Sequence, residues 1–138
     1  MTAIDSCEAQ IIRAFEKEAW RIKQKPLYLR LPDRILWIDL ALERQTDQGA
    51  ETIIVVEVKC FPQPKDDLNE FYRMIGQYQT YRNALKLLQD PSPLYVALPA
   101  QSYQRLAAYP EFAMTMNDAK LKCVVIDLDT EEITKWIP

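Results

Sequence analysis

Ile53-Ile54-Val55-Val56-Glu57-Val58-Lys59-Cys60 is the most apolar run of the chain, and a carboxylate and an amine stand two residues apart inside it. A short run this rich in β-branched residues reads as a buried strand. The preceding strand-like run repeats the anomaly: in Ile35-Leu36-Trp37-Ile38-Asp39-Leu40-Ala41-Leu42, Asp39 interrupts an otherwise apolar stretch. An isolated charge in a protein interior is costly even after relaxation, so such groups persist only when paired, metal-bound or at a solvent-open edge. Any fold of this chain must give Asp39, Glu57 and Lys59 one of those three solutions.

Side chains alternate across a strand, which puts Ile53, Val55, Glu57 and Lys59 on one face and Ile54, Val56 and Val58 on the other. Glu57 and Lys59 are then about 7 Å apart along the strand, and Asp39 points with Trp37 and Ala41. Antiparallel pairing through the Arg44 to Ala50 connection allows a register with Asp39 opposite Glu57. Two carboxylates and one ammonium would converge there, and a divalent cation would satisfy both acids. Two further residues have places near the patch. Glu8 falls on the apolar stripe of the first helical segment with Ile12, Phe15 and Ala19. Gln77 borders the stripe of a later helix beside Gly76, whose missing side chain would let that helix approach the sheet. The D…E-x-K pattern is short, and a lysine closing a plain salt bridge accounts for it as well as a catalytic site does.

The length, 138 residues, suits a single domain spanning 1–138. Helical periodicity covers Ile4 to Trp20. Strand patterns at Leu27 to Leu31 and Ile35 to Leu42 are joined through Pro32-Asp33, a turn pair, and a third strand covers Thr52 to Lys59. An amphipathic helix runs from Asp66 to Leu88, its stripe including Leu68, Phe71, Ile75, Tyr78, Leu85 and Leu88. A strand at Leu94 to Leu98, a short helix between Ser102 and Tyr109, and a hairpin of Leu121 to Leu128 with Glu132 to Ile137 complete the chain. The fold class is α/β, of the α+β kind: a mixed central sheet flanked by helices, with a C-terminal β-hairpin.

The chain has no histidine. That removes Ser-His-Asp and Cys-His catalysis, histidine-ligated zinc and nucleases with a histidine base. A metal here would need oxygen ligands, which selects Mg²⁺ or Mn²⁺. Cys7, Cys60 and Cys123 are odd in number and lack C-x-x-C spacing, so they are expected to be buried thiols in a reducing compartment. No membrane-length apolar run and no signal-peptide pattern are present, which makes the expected location cytoplasmic, with no membrane partner. The formal charge is −3, unlike a protein coated with positive charge for nucleic acid. Residues 11–35 nevertheless hold seven Lys/Arg against three acids: a local DNA-facing patch and an ordinary solvated face both fit.

Asp39, Glu57-Val58-Lys59 and the α-β-β-β-α-β order resemble the PD-(D/E)XK nuclease superfamily. Over nearly its full length the chain is similar to the fdxN element excision controlling factor XisH family. The resemblance lies in Glu18-Ala19-Trp20, Pro26-Leu27, Trp37-Ile38-Asp39-Leu40, Val56-Glu57-Val58-Lys59-Cys60-Phe61, Gly76-Gln77-Tyr78, Leu94 to Pro99 and Lys135-Trp136-Ile137. It implies a restriction-endonuclease-like αβββαβ core and a Mg²⁺- or Mn²⁺-dependent phosphodiesterase site. Asp39 and Glu57 would bind the metal with the Val58 carbonyl as a third ligand. Lys59 would orient water or stabilise phosphate charge, Gln77 would position water or substrate, and Glu8 would act from behind the metal ligands. The implied role is programmed excision of a DNA element in heterocyst-forming cyanobacteria. Its implied partners are DNA, a site-specific recombinase and a companion controlling factor, and the chain leaves room for a homo-oligomer. A non-catalytic accessory protein that regulates the recombinase is the alternative. The chain departs from the family pattern in lacking a histidine near Glu8 and a glycine at Ala19.

Overall fold

The computed structural model describes residues 7–138, so the expected helical start at Ile4 to Ser6 lies outside the described residues. Helix α1 (Glu8–Lys17) leads into β1 (Arg21–Gln24), β2 (Leu27–Arg30), β3 (Ile35–Ile38), β4 (Leu40–Gln45) and β5 (Glu51–Val58). A short 3-10 turn precedes α2 (Asp67–Leu87), and β6 (Leu94–Pro99), α3 (Ala100–Ala107), α4 (Pro110–Asp118), β7 (Lys122–Asp127) and β8 (Glu132–Ile137) follow. Six strands form one sheet in the order β1-β4-β5-β6-β7-β8, while β2 and β3 pair separately. The β5-β6 and β6-β7 pairs are parallel and the other pairs antiparallel, which gives the expected mixed sheet.

Alternation along β5 divides the core between two layers. Ile54, Val56 and Val58 face α1, whose Ile11, Ala14 and Phe15 are fully buried. Val55 faces the opposite side, where α2 and the two small helices bring Phe71, Met74, Tyr78, Leu106 and Phe112 onto Val96, Leu98 and Val125. Burying apolar side chains on both faces at about 25 cal/mol per Å² is what holds helices to each side of the sheet.

The run Ile35 to Leu42 is not one strand. It breaks at Asp39, with β3 in the small hairpin and β4 in the main sheet. The cause is a tertiary contact, since the Asp39 N–H donates to the Glu57 carboxylate instead of continuing a ladder. Alternation therefore does not carry across the break. Trp37 is exposed against Tyr28 rather than sharing a face with Asp39, whereas Ala41 pairs with Val55 on the Glu57 side.

Helix α1 stops at Lys17, short of Trp20. Ala19 adopts a left-handed φ of 68°, and the Trp20 N–H donates back to the Phe15 carbonyl at 3.1 Å. This closure turns Trp20 inward beneath the Arg44 guanidinium and leaves Ala19 exposed, off the stripe that holds Ile12 and Phe15. Gly76 is exposed with open space where a Cβ would stand, so it marks no close approach of α2 to the sheet, and Leu88 is exposed beyond the helix end. Cys7 and Cys60 are not free thiols: they form a disulfide, leaving Cys123 as the buried thiol.

Candidate functional site

Strands β4 and β5 build the centre. Their ladder ends at Leu40 paired with Val56, and one step further along the same register stand Asp39 and Glu57. The two acids are seated reciprocally: the Asp39 N–H donates to Glu57 Oε1 at 3.2 Å, and the Val58 N–H donates to Asp39 Oδ2 at 2.8 Å. Each carboxylate therefore accepts from a backbone N–H of the segment that carries the other acid or its neighbour. Backbone donors fix both headgroups, and their remaining oxygens are left for other partners.

Lys59 follows β5 directly, with Nζ 3.8 Å from Glu57 Oε2. At that separation it neutralises incompletely, being beyond hydrogen-bond length. Burial pushes the Glu57 carboxyl up to about 8, and the neighbouring Asp39 charge pushes the same way against Lys59. With both acids ionised the cluster would carry more negative charge than its one ammonium balances, so the metal-free fold holds a proton on Glu57 at neutral pH, a proton that a bound cation would displace.

Glu8 begins α1 and is largely covered. Burial raises its carboxyl, with Lys25 opposing and the Asp39 charge reinforcing the shift, so it lies within electrostatic reach of the centre. Its partner is Lys25, at 3.9 Å. Gln77 lies on α2, with Oε1 buried and without a hydrogen-bond partner among the described residues. Such an orphaned acceptor requires a donor for which water is the simplest candidate.

One turn after Gln77 on the same helical face is Tyr81. Burial raises its hydroxyl pKa first, followed by the charges of Glu57 and Asp39. Tyr81 was not picked out from sequence, although its i+4 spacing from Gln77 places it on the same face.

The structure therefore brings Asp39, Glu57 and Lys59 together, with Glu8 and Tyr81 in electrostatic reach and Gln77 one turn before Tyr81 on α2. The Val58 group engaged here is its N–H, on Asp39. Among the described residues no three His, Cys, Asp or Glu side chains converge as a metal-ligand group. Two carboxylates fixed by backbone donors, Asp39 and the raised Glu57, still fit a hard, oxygen-seeking divalent cation completed by water. No helix among the described residues is long and apolar enough to cross a membrane.

The family model described as XisH protein matches residues 1–134. No curated protein matches the chain. The chain is similar to the crystal structure of an XisH family protein from Nostoc punctiforme PCC 73102, with a TM-score of 0.83 and 29% identity over 96% of this chain and 100% of that one. It is also similar to the crystal structure of a fdxN element excision controlling factor protein from Anabaena variabilis, with a TM-score of 0.84 and 28% identity over 96% of this chain and 98% of that one.

Proposed function

Because the chain belongs to the XisH family, we propose that it acts in excision of a DNA element through a divalent-metal phosphodiesterase site on a PD-(D/E)XK, restriction-endonuclease-like core. The observation that carries this reading is the reciprocal Asp39/Glu57 pair with Lys59 beside it. Mg²⁺ or Mn²⁺, when bound, would polarise a phosphoryl oxygen and lower the pKa of a coordinated water. Asp39 and Glu57 would hold it, with the Val58 carbonyl as a third donor.

Lys59 is largely covered and its ammonium faces Glu57. It would orient the attacking water and balance charge developing on the phosphate. Gln77 offers an acceptor, unpaired among the described residues, to a water or to substrate. Glu8 adds negative field from α1 and would act through the metal ligands.

The test is cleavage of labelled linear, supercoiled and branched DNA with Mg²⁺, Mn²⁺ or EDTA, comparing wild type with Lys59→Ala. Metal-dependent cutting that falls by about 100-fold or more in the variant is expected. Unchanged cutting in Lys59→Ala would sink the assignment.

A second reading is supported by the formal charge of −3, which gives little of the phosphate-attracting field of a free-standing nuclease. In that reading the domain is a non-catalytic accessory factor that regulates a recombinase through protein or DNA contacts. Wild type that cuts no DNA in any condition yet retains the recombinase, a companion factor or element DNA in a pull-down would select it. Retention of none of these would eliminate it.

A further inference from the structure

We infer that Cys7 and Cys60 are a reversible dithiol/disulfide pair that sets the position of Glu8 relative to the Asp39/Glu57/Lys59 cluster. The inference rests on the reading of that cluster as a functional site. Cys7 immediately precedes Glu8 and caps the start of α1, while Cys60 immediately follows Lys59. The disulfide joins residues 53 apart in sequence, with Cα atoms 5.8 Å apart. It ties the first turn of α1 directly to the chain segment that carries Glu57 and Lys59.

The two ends of this tie are held unequally. On the β5 side, the Ser102 hydroxyl donates to the Cys60 carbonyl at 3.1 Å and Arg105 donates to the Phe61 carbonyl at 2.9 Å. On the α1 side, the second half of the helix is pinned: Arg13 binds Glu131 in a bidentate pair and Lys17 donates to the Thr130 carbonyl at 2.6 Å. The first turn has no side-chain cap, and its polar side-chain links among the described residues are the Cys7 N–H to Cys60 Sγ contact at 3.2 Å and the Glu8–Lys25 pair at 3.9 Å. Breaking the disulfide therefore loosens the turn that carries Glu8 while the rest of α1 and the end of β5 stay in place.

Both cysteines are buried, so exchange proceeds through opening at the helix start, the place where helices open most readily. A thiolate of an external dithiol attacks one sulfur, the Cys7–Cys60 bond breaks, and a mixed disulfide forms. The second thiol of the reductant resolves it. Two electrons and two protons end on Cys7 and Cys60, and the reductant leaves as its own disulfide. Cys123 does not take part: it is fully buried in β7, and burial pushes its thiol up to about 12.

The experiment equilibrates the full chain at graded ratios of oxidised to reduced dithiothreitol, traps thiols with N-ethylmaleimide and reads intact mass. A concerted step of two labels is expected, with the third label added only on denaturation. In both end states, hydrogen exchange is followed at the Ile11 amide, whose bond to the Cys7 carbonyl at 3.0 Å closes the first turn, and Mg²⁺ affinity is measured by calorimetry. Reduction should speed exchange at Ile11 on the order of tenfold while sparing residues 15–17, and should weaken Mg²⁺ binding. A Cys7→Ser, Cys60→Ser double variant should match the reduced state whatever the buffer. A pair that never oxidises, or equal Ile11 exchange in the two states, overturns the inference. Different exchange with no Mg²⁺ binding in either state upholds the redox tie and removes the metal site instead.

Discussion

Asp67 and Glu57 are both buried acids beside a basic residue, and the fold treats them in opposite ways. Asp67 receives a fork from Arg105, with Nε at 2.8 Å and Nη2 at 3.1 Å, and Arg105 Nη2 also donates to the Phe61 carbonyl. That is a satisfied structural pair, and the hydrogen bond to Asp67 raises the Arg105 pKa. Glu57 has a lysine at 3.8 Å, outside hydrogen-bond range, and a second carboxylate pressed against it. The fold completes one buried pair and leaves the other without a hydrogen-bonded cation, and the proposed cation site rests on that contrast.

The largest effect belongs to the satisfied pair. Arg105→Ala strands a buried carboxylate and should cost about 3 kcal/mol in denaturant unfolding, with Mg²⁺ affinity unchanged. A comparable cost that also abolished Mg²⁺ binding would break the contrast between the two regions. Glu57→Gln should do the reverse, stabilising the metal-free protein at pH 8 by on the order of 1–2 kcal/mol while eliminating metal-dependent cleavage.

The pH dependence sharpens the same point. In the unfolded chain Glu57 loses its proton near its ordinary value of 4.5, whereas the folded state retains it to about 8. Across that window the folded state binds the extra proton, so metal-free stability falls as pH rises from about 4.5 to about 8. Thermal unfolding across this range should show the decline in wild type and a flatter profile in Glu57→Gln. The smallest effect is a control remote from both charges. Ala19 sits at φ 68°, so Ala19→Gly should raise stability by up to about 1 kcal/mol in denaturant unfolding and leave the Mg²⁺ response unaltered.

The charged strands were legible because alternation is a strong constraint: Val55 and Val56 do face opposite layers, and the register beyond Leu40 and Val56 does meet at Asp39 and Glu57. What alternation hid was the break at Asp39, which arises from a side chain three-dimensionally opposite, on Glu57, and not from any turn residue. Strand β1 was missed because Arg21-Ile22-Lys23-Gln24 is exposed at all four positions on a sheet edge, where no apolar period is required. Helix α4 was missed because its burial rests on Phe112 and Met116, too few apolar positions to establish a stripe. The Cys7–Cys60 pairing could not be read from spacing, since it depends on α1 crossing the end of β5. Tyr81 reads as a core aromatic until the neighbouring carboxylates are located.

The most direct measurement of whether the Asp39/Glu57 pair awaits a cation is thermal unfolding at pH 8 with and without saturating Mg²⁺, for wild type and Asp39→Asn. The expected result is stabilisation of wild type by Mg²⁺, about 2.7 kcal/mol at a hundredfold excess over Kd, with little response in Asp39→Asn. If Asp39→Asn lowers stability equally with and without Mg²⁺, and wild type ignores the metal, then Asp39, Glu57 and Lys59 form a structural ion cluster and the contrast with Asp67 and Arg105 does not mark a metal site.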